Sequence, residues 1–157
     1  MFFLKYYNTS TRTKNEKKKG EKIMIIGIDH VGIAVKNLEK TLSLHRDVLG
    51  LEVKRDIMNI EDQKMRNVLI KVGNSSFEIM EPTDPASAVA KYIEVKGEGV
   101  QHISLKVDNI EETIAILKEK GIVFTSEKPL QYGSAKVIFA HPKSTGGILF
   151  EFCERAE

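Results

Sequence analysis

Apolar and polar positions alternate over Ile26–Val35, which predicts a strand with Val31, Ile33 and Val35 on one side and His30, Gly32 and Ala34 on the other. The alternation returns over Gly99–Val107, where Ile103, Leu105 and Val107 oppose His102 and Ser104. The two runs match position for position at an offset of 72. Each leads through an asparagine cap, Asn37-Leu38-Glu39 or Asn109-Ile110-Glu111, into a helical pattern. The first helix is predicted over Leu38–Val48, with Leu38, Leu42 and Val48 as its apolar stripe and Gly50 as its stop. The second is predicted over Ile110–Glu119, with Ile110, Ile114 and Leu117 inward and Gly121 as its stop. Gly50 and Gly121 are only 71 apart, so the first copy holds one extra residue in its helix.

Three further strands are predicted in each copy: Leu51–Met58, Arg66–Val72 and Ser76–Glu81, then Ile122–Ser126, Lys136–His141 and Ile148–Cys153. Gly73-Asn74 marks a tight hairpin turn. Phe77-Glu78-Ile79 matches Phe150-Glu151-Phe152 at an offset of 73. The match places Glu78 and Glu151 on the face of the histidines, with their apolar neighbours under the helices. The chain therefore reads as βαβββ twice, an α+β domain of modules 24–82 and 99–157. The linker 83–98 carries a short helix over Ala86–Ile93.

Composition adds boundaries. A chain of 157 residues, 41% hydrophobic and 29% charged, suits one globular domain. No apolar run approaches the roughly 20 residues of a membrane span, and the lone Cys153 fits a reducing, cytoplasmic setting. The net charge of +2 is uneven: residues 1–23 hold seven Lys/Arg against two Glu, leaving seventeen basic and twenty acidic residues in the rest. The body gives no electrostatic reason to bind nucleic acid. Residues 1–23 read as a disordered basic tail with no assigned function, and Met24 as the expected native start.

His30, Glu78, His102 and Glu151 form a matched set, one histidine and one glutamate per copy, all on the face opposite the apolar stripes. Buried carboxylates need partners or a metal. Two imidazoles and two carboxylates neutralise a divalent ion, and the lack of thiolates argues against structural zinc. With two coordination positions open the set suits octahedral Co²⁺, Mn²⁺, Ni²⁺ or Zn²⁺, acting as a Lewis acid beside a separate base. The other candidates have plainer readings. His45 is a partly exposed helix residue, His141 a turn residue before Pro142, Lys136 and Lys143 solvated surface lysines, and Cys153 a small core filler.

Three segments carry a resemblance: Asp29-His30-Val31-Gly32-Ile33-Ala34-Val35, Gly99-Val100-Gln101-His102-Ile103, and His141-Pro142-Lys143 leading through Gly146-Gly147 to Glu151. With the doubled βαβββ pattern they resemble the vicinal oxygen chelate superfamily, and within it the methylmalonyl-CoA epimerases. The resemblance implies one curved mixed sheet around a metal site held by His30, Glu78, His102 and Glu151, although the epimerases often carry glutamine at the place of Glu78. It further implies interconversion of the C2 epimers of an acyl-CoA by metal-assisted proton transfer through an enolate. Glu151 would be one base; aligning Gln63 with the family's Glu-Gln segment makes Asp62 the other, with Glu61 one residue out of register. A homodimer is implied as well. The rivals are a glyoxalase I-like lactoylglutathione lyase with the same ligand types, and a metal-free binding or resistance protein, which generally lacks them. A three-ligand iron dioxygenase is disfavoured by Glu78.

Overall fold

The computed structural model describes Ile23 and residues 25–155. The expected basic tail, apart from Ile23, and the expected start at Met24 lie outside the described residues.

The first module comprises β1 (Ile25–Ala34), α1 (Leu38–Ser43), β2 (Val53–Ile60), β3 (Met65–Val72) and β4 (Ser75–Pro82). A linker helix, α2 (Ala88–Lys96), leads to β5 (Gly99–Val107), α3 (Ile110–Glu119), β6 (Leu130–Tyr132), β7 (Ala135–Ala140) and β8 (Phe150–Arg155). All eight strands form one curled mixed sheet in the order β2-β3-β4-β1-β5-β8-β7-β6. β1 and β5 are antiparallel at its centre, while β4 runs parallel to β1 and β8 parallel to β5. The central register is reciprocal: His30 faces Ser104 and Gly32 faces His102. Since Ser104 and His102 are the repeats of Gly32 and His30, a local two-fold relates the modules. It sets the two histidines diagonally on one face.

The helix-covered face divides into two cores. Leu38 of α1 packs with Val35, Val68, Ile70 and Ile79, and Ile110 and Ile114 of α3 pack with Val107, Ile138 and Phe152. The helix starts repeat each other in detail. Asn37 Oδ1 accepts from Lys40 N and Asn109 Oδ1 from Glu112 N, both at 2.8 Å. Glu81 and Glu154, from the last strand of each module, accept from the first helical amides Leu38 N and Ile110 N at 2.8 and 2.7 Å.

Four expectations need correction, the first being that Val48, expected on the apolar stripe of the first helix, is exposed. The helix predicted to Val48 is α-helical only through Ser43; Leu44–Val48 is a π turn, with Leu49 N donating to Leu44 O at 3.0 Å. The wider i→i+5 ring absorbs the extra residue of the first copy without displacing the strand that follows. His45 in that turn is buried, not partly exposed: its Nδ1–H donates to Thr41 O at 2.8 Å and its ring meets Phe77 edge-on. The strand predicted over Ile122–Ser126 is reduced to one bridge, Phe124 to Ala140. Ile122 and Phe124 alternate because both pack into the α3 core, and the chain bends away before Pro129 to form the short β6 instead.

Candidate metal centre and cavity

β1, β4, β5 and β8 each deliver one member of the matched set to the open face. His30 Nε2 lies 3.0 Å from His102 Nε2, 3.3 Å from Glu78 Oε2 and 3.7 Å from Glu151 Oε1; His102 Nε2 lies 3.8 Å from Glu78 Oε2. Ligand atoms of His30, His102 and Glu151 all fall within 4.8 Å of one another, and these three residues are buried. Glu78 stands beside them, drawn toward β3 by a short hydrogen bond from Asn67 Nδ2 to its Oε1.

The residue before each histidine orients it. His30 Nδ1–H donates to Asp29 Oδ2 at 2.8 Å, and His102 Nδ1–H donates to Gln101 Oε1 at 3.0 Å. Asp29 is gripped in turn by Arg155, whose Nε and Nη2 donate to its two oxygens at 2.7 and 2.8 Å. With both Nδ1 atoms used as donors, each imidazole turns its Nε2 toward the cluster, and a proton on His30 Nε2 makes the 3.0 Å hydrogen bond to His102 Nε2. Two imidazole nitrogens and one oxygen of Glu151 thus face a common point, with Glu78 beside them, an arrangement that would suit a bound cation. The donor set fits a divalent metal.

The electrostatics of the metal-free cluster express the same demand. Burial opposes protonation of His30, but the hydrogen bonds to Asp29 and Glu78 outweigh it and raise its pKa to about 10. Burial lowers His102 to about 4. Burial would raise Glu78, yet His30 and the other neighbours lower it to about 2. Glu151 goes the other way: burial lifts it to about 7 against the pull of His30 and the 2.6 Å hydrogen bond from Ser104 Oγ. Asp29 is held well below the usual carboxylate range despite its burial, by Arg155 and His30.

Beside the cluster opens a cavity of about 310 Å³. Met80 and Val89, from the part of the open face that α2 covers, line one end, and Tyr132, Val137 and Phe139 line the other. Of the expected Glu61-Asp62-Gln63 segment, which forms a short 3₁₀ turn between β2 and β3, Gln63 lines the cavity. Glu61 and Asp62 are exposed on the same turn, and Asp62 is close enough to Tyr132 to help raise that phenol's pKa, behind the larger effect of burial. The plainer readings hold elsewhere. His141 caps the turn at Pro142–Ser144. Lys136 pairs with Glu111 at 2.6 Å, repeating Arg66 with Glu39 in the first module. Cys153 is fully buried with Ala135 and Val137. Sequence reasoning missed Asp29, Gln101, Asn67, Arg155 and Arg55 as parts of the site. The first two had a signal: each directly precedes a repeated histidine.

Residues 29–140 match the model of the glyoxalase/bleomycin resistance protein/dioxygenase superfamily. The chain belongs to this superfamily. Within it, the chain is 34% identical to the mitochondrial methylmalonyl-CoA epimerase of Mus musculus, over 79% of this chain and 70% of that protein. It is 30% identical to an ethylmalonyl-CoA/methylmalonyl-CoA epimerase of Cereibacter sphaeroides, over 82% of this chain and 97% of that protein. A solved structure of a Streptomyces coelicolor methylmalonyl-CoA epimerase variant with 2-nitronate-propionyl-CoA superposes with a TM-score of 0.80 at 30% identity, covering 85% of this chain and all of that one. Among the described residues of the present chain, His30, His102 and Glu151 form a possible metal site.

Proposed function

We propose that the chain is a metal-dependent methylmalonyl-CoA epimerase. The observation that carries the reading is the clustering of His30, His102 and Glu151, with Glu78 beside them, in a chain similar to epimerases over most of its length. His30, Glu78, His102 and Glu151 would hold a divalent ion, Co²⁺, Mn²⁺, Ni²⁺ or Zn²⁺, which would supply positive charge for a developing enolate oxygen. Glu151, buried beside the histidines, is the group assigned to take and return the C2 proton. Ser104 fixes Oε1 of that carboxylate, leaving Oε2 for the proton. Inverting C2 requires a second acid/base on the opposite face of the planar enolate; Asp62 is assigned that role, with Glu61 beside it on the same turn.

The test is deuterium uptake at C2 in D₂O by Co²⁺-loaded protein. Wild type exchanges both epimers and interconverts them. Glu151→Gln should lose roughly 10²–10⁴-fold in rate. Asp62→Asn should still exchange one epimer while failing to convert it to the other. An Asp62→Asn variant that interconverts normally moves the role to Glu61, checked with Glu61→Gln. Absence of metal-dependent uptake in wild type overturns the epimerase in favour of the lactoylglutathione lyase reading, assayed with a glutathione hemithioacetal.

The same reading takes a small acyl-CoA as partner, a homodimer as assembly and the cytoplasm as location. Exposure of Ile25, Ile26 and Ile28 at the start of β1 supports the dimer, and the lone reduced cysteine supports the compartment. No helix among the described residues is long and apolar enough to cross a membrane.

A further inference from the structure

Two arginines line the cavity, and only one has its charge matched. Arg155 is locked in two hydrogen bonds to Asp29. Arg55, on β2, donates from Nη2 at 2.9 Å to Oδ1 of Asn67, a neutral acceptor, and no described carboxylate forms an ion pair with it. A guanidinium has five N–H donors in a planar fork suited to a carboxylate, so most of Arg55's capacity is unspent. Arg55 is exposed, and one hydrogen bond ties it to the cluster: Asn67 accepts from Arg55 through Oδ1 and donates through Nδ2 to Glu78. The chain Arg55–Asn67–Glu78 crosses from β2 over β3 to β4 and holds an unmatched cation two hydrogen bonds from the cluster. The imidazoles aside, no other cation besides Arg155 lines the cavity.

We propose that Arg55 binds the free carboxylate of the acyl group and so selects malonyl-type thioesters over neutral acyl thioesters. The proposal rests on the epimerase reading of the same site. The phosphates of the CoA carrier are poorer candidates. They lie a full pantetheine arm from the acyl carbon, and a space of about 310 Å³ next to the cluster suits the acyl end rather than a nucleotide. A carboxylate facing Arg55 would also orient C2 relative to Glu78 and Glu151, because the same hydrogen-bond chain holds the guanidinium and Glu78.

Calorimetric titration of Co²⁺-loaded protein with equilibrated methylmalonyl-CoA and with propionyl-CoA, which lacks the carboxylate, tests this. Wild type should prefer methylmalonyl-CoA. Arg55→Gln should weaken methylmalonyl-CoA roughly 10- to 100-fold, the range for a hydrogen bond to a charged group, and leave propionyl-CoA unchanged. Arg55→Lys, which keeps the charge and loses the fork, should fall between. Equal weakening of both ligands, undiminished methylmalonyl-CoA binding by Arg55→Gln, or no preference in wild type overturns the proposal. A matching loss of Co²⁺ affinity in Arg55→Gln also overturns it, by making Arg55 a support for Asn67 and Glu78. The two readings separate cleanly. Wild type that prefers methylmalonyl-CoA through Arg55 but shows no C2 exchange removes the epimerase and keeps the carboxylate site; normal exchange with unchanged Arg55→Gln affinity does the reverse.

Discussion

Gly32 faces His102 across the central strand pair, and adding a single methyl group there tests the geometry of the whole site. A Cβ at Gly32 would stand 2.1 Å from Cε1 of His102, 2.3 Å from Nδ1 and 2.7 Å from Nε2, where ordinary contact begins at 3.4 Å. The ring must therefore retreat by about 1.3 Å. It has little room: His102 is 3% exposed, Phe139 stands edge-on at 5.5 Å and Gln101 holds Nδ1. The backbone itself accepts alanine, since Gly32 is not among the positive-φ glycines. Overpacking costs about 1–3 kcal/mol, and the gain from replacing glycine at a compatible position offsets about 0.4–1 kcal/mol. At roughly 2–4 °C per kcal/mol, the melting temperature of metal-free Gly32→Ala should fall by less than about 10 °C. The metal site should suffer far more, because Nε2 of His102 leaves the point of convergence. Loss of one inner ligand should weaken Co²⁺ binding at least about 100-fold, or about 2.7 kcal/mol at 1.36 kcal/mol per decade. Titration by the visible absorption of Co²⁺, paired with thermal melts, measures both quantities. Ser104→Ala, at the repeated position, already has a Cβ and loses only its hydroxyl to Glu151, so its affinity should drop less. A folded Gly32→Ala protein with wild-type Co²⁺ affinity would refute the assignment of His102.

Other perturbations read other parts of the molecule. Asp29→Asn removes the charged acceptor of His30 Nδ1–H and leaves Arg155 unpaired, so Co²⁺ affinity should fall roughly 10–100-fold in the same titration. In metal-free protein the pKa of His30 is raised to about 10 from 6.5, so its stabilisation is complete below pH 6.5 and is lost as pH rises toward 10. Melting temperature should decline across that window, and His30→Gln should remove that decline. Cys153, fully buried with its thiol pushed up to about 12, should resist an aromatic disulfide reagent at pH 8 until the protein unfolds; rapid reaction of the native protein would contradict its place in the core. Asn109→Ala, which removes the α3 cap to Glu112 N, should cost about 1 kcal/mol in chemical unfolding.

The parts of this fold legible in the sequence are those whose periodicity has one cause. β1 and β5 alternate because one face meets a helix and the other the site, so His30 and His102 were placed by parity alone. Glu78 and Glu151 followed because strand parity survives any error in loop length. The segment Ile122–Phe124 misled because alternation there reflects packing under α3, not pairing along a strand. His45 misled because an α-helical wheel misplaces every residue beyond Ser43, where the turn widens to i→i+5. Asn67 and Arg55 could not be found from pattern at all: their importance arises from a chain of contacts across three strands, which no local spacing encodes.

Duplication explains why two histidines and two glutamates share one face, but a reaction at one carbon cannot use a symmetric site. The symmetry is broken one contact outward from each ligand. Asp29, charged and held by Arg155, orients His30, whereas neutral Gln101 orients His102. Ser104 holds Glu151, but its repeat Gly32 has no side chain and makes room for the His102 ring. Glu78 is held instead by Asn67, whose counterpart by sheet register is the apolar Val137. The cavity inherits this difference locally: Arg55 and Asn67 add a polar chain beside Glu78, where Val137 and Phe139 stand on the side of Glu151. Under the proposed function, an acyl group with one carboxylate and one methyl on the same carbon would meet both. Glu151, with its pKa raised by burial, stands on the apolar side, and Glu78, kept ionised by His30 and Asn67, on the polar one. The duplicated scaffold thus assembles the cation site, while the residues that differ between the copies orient what binds there.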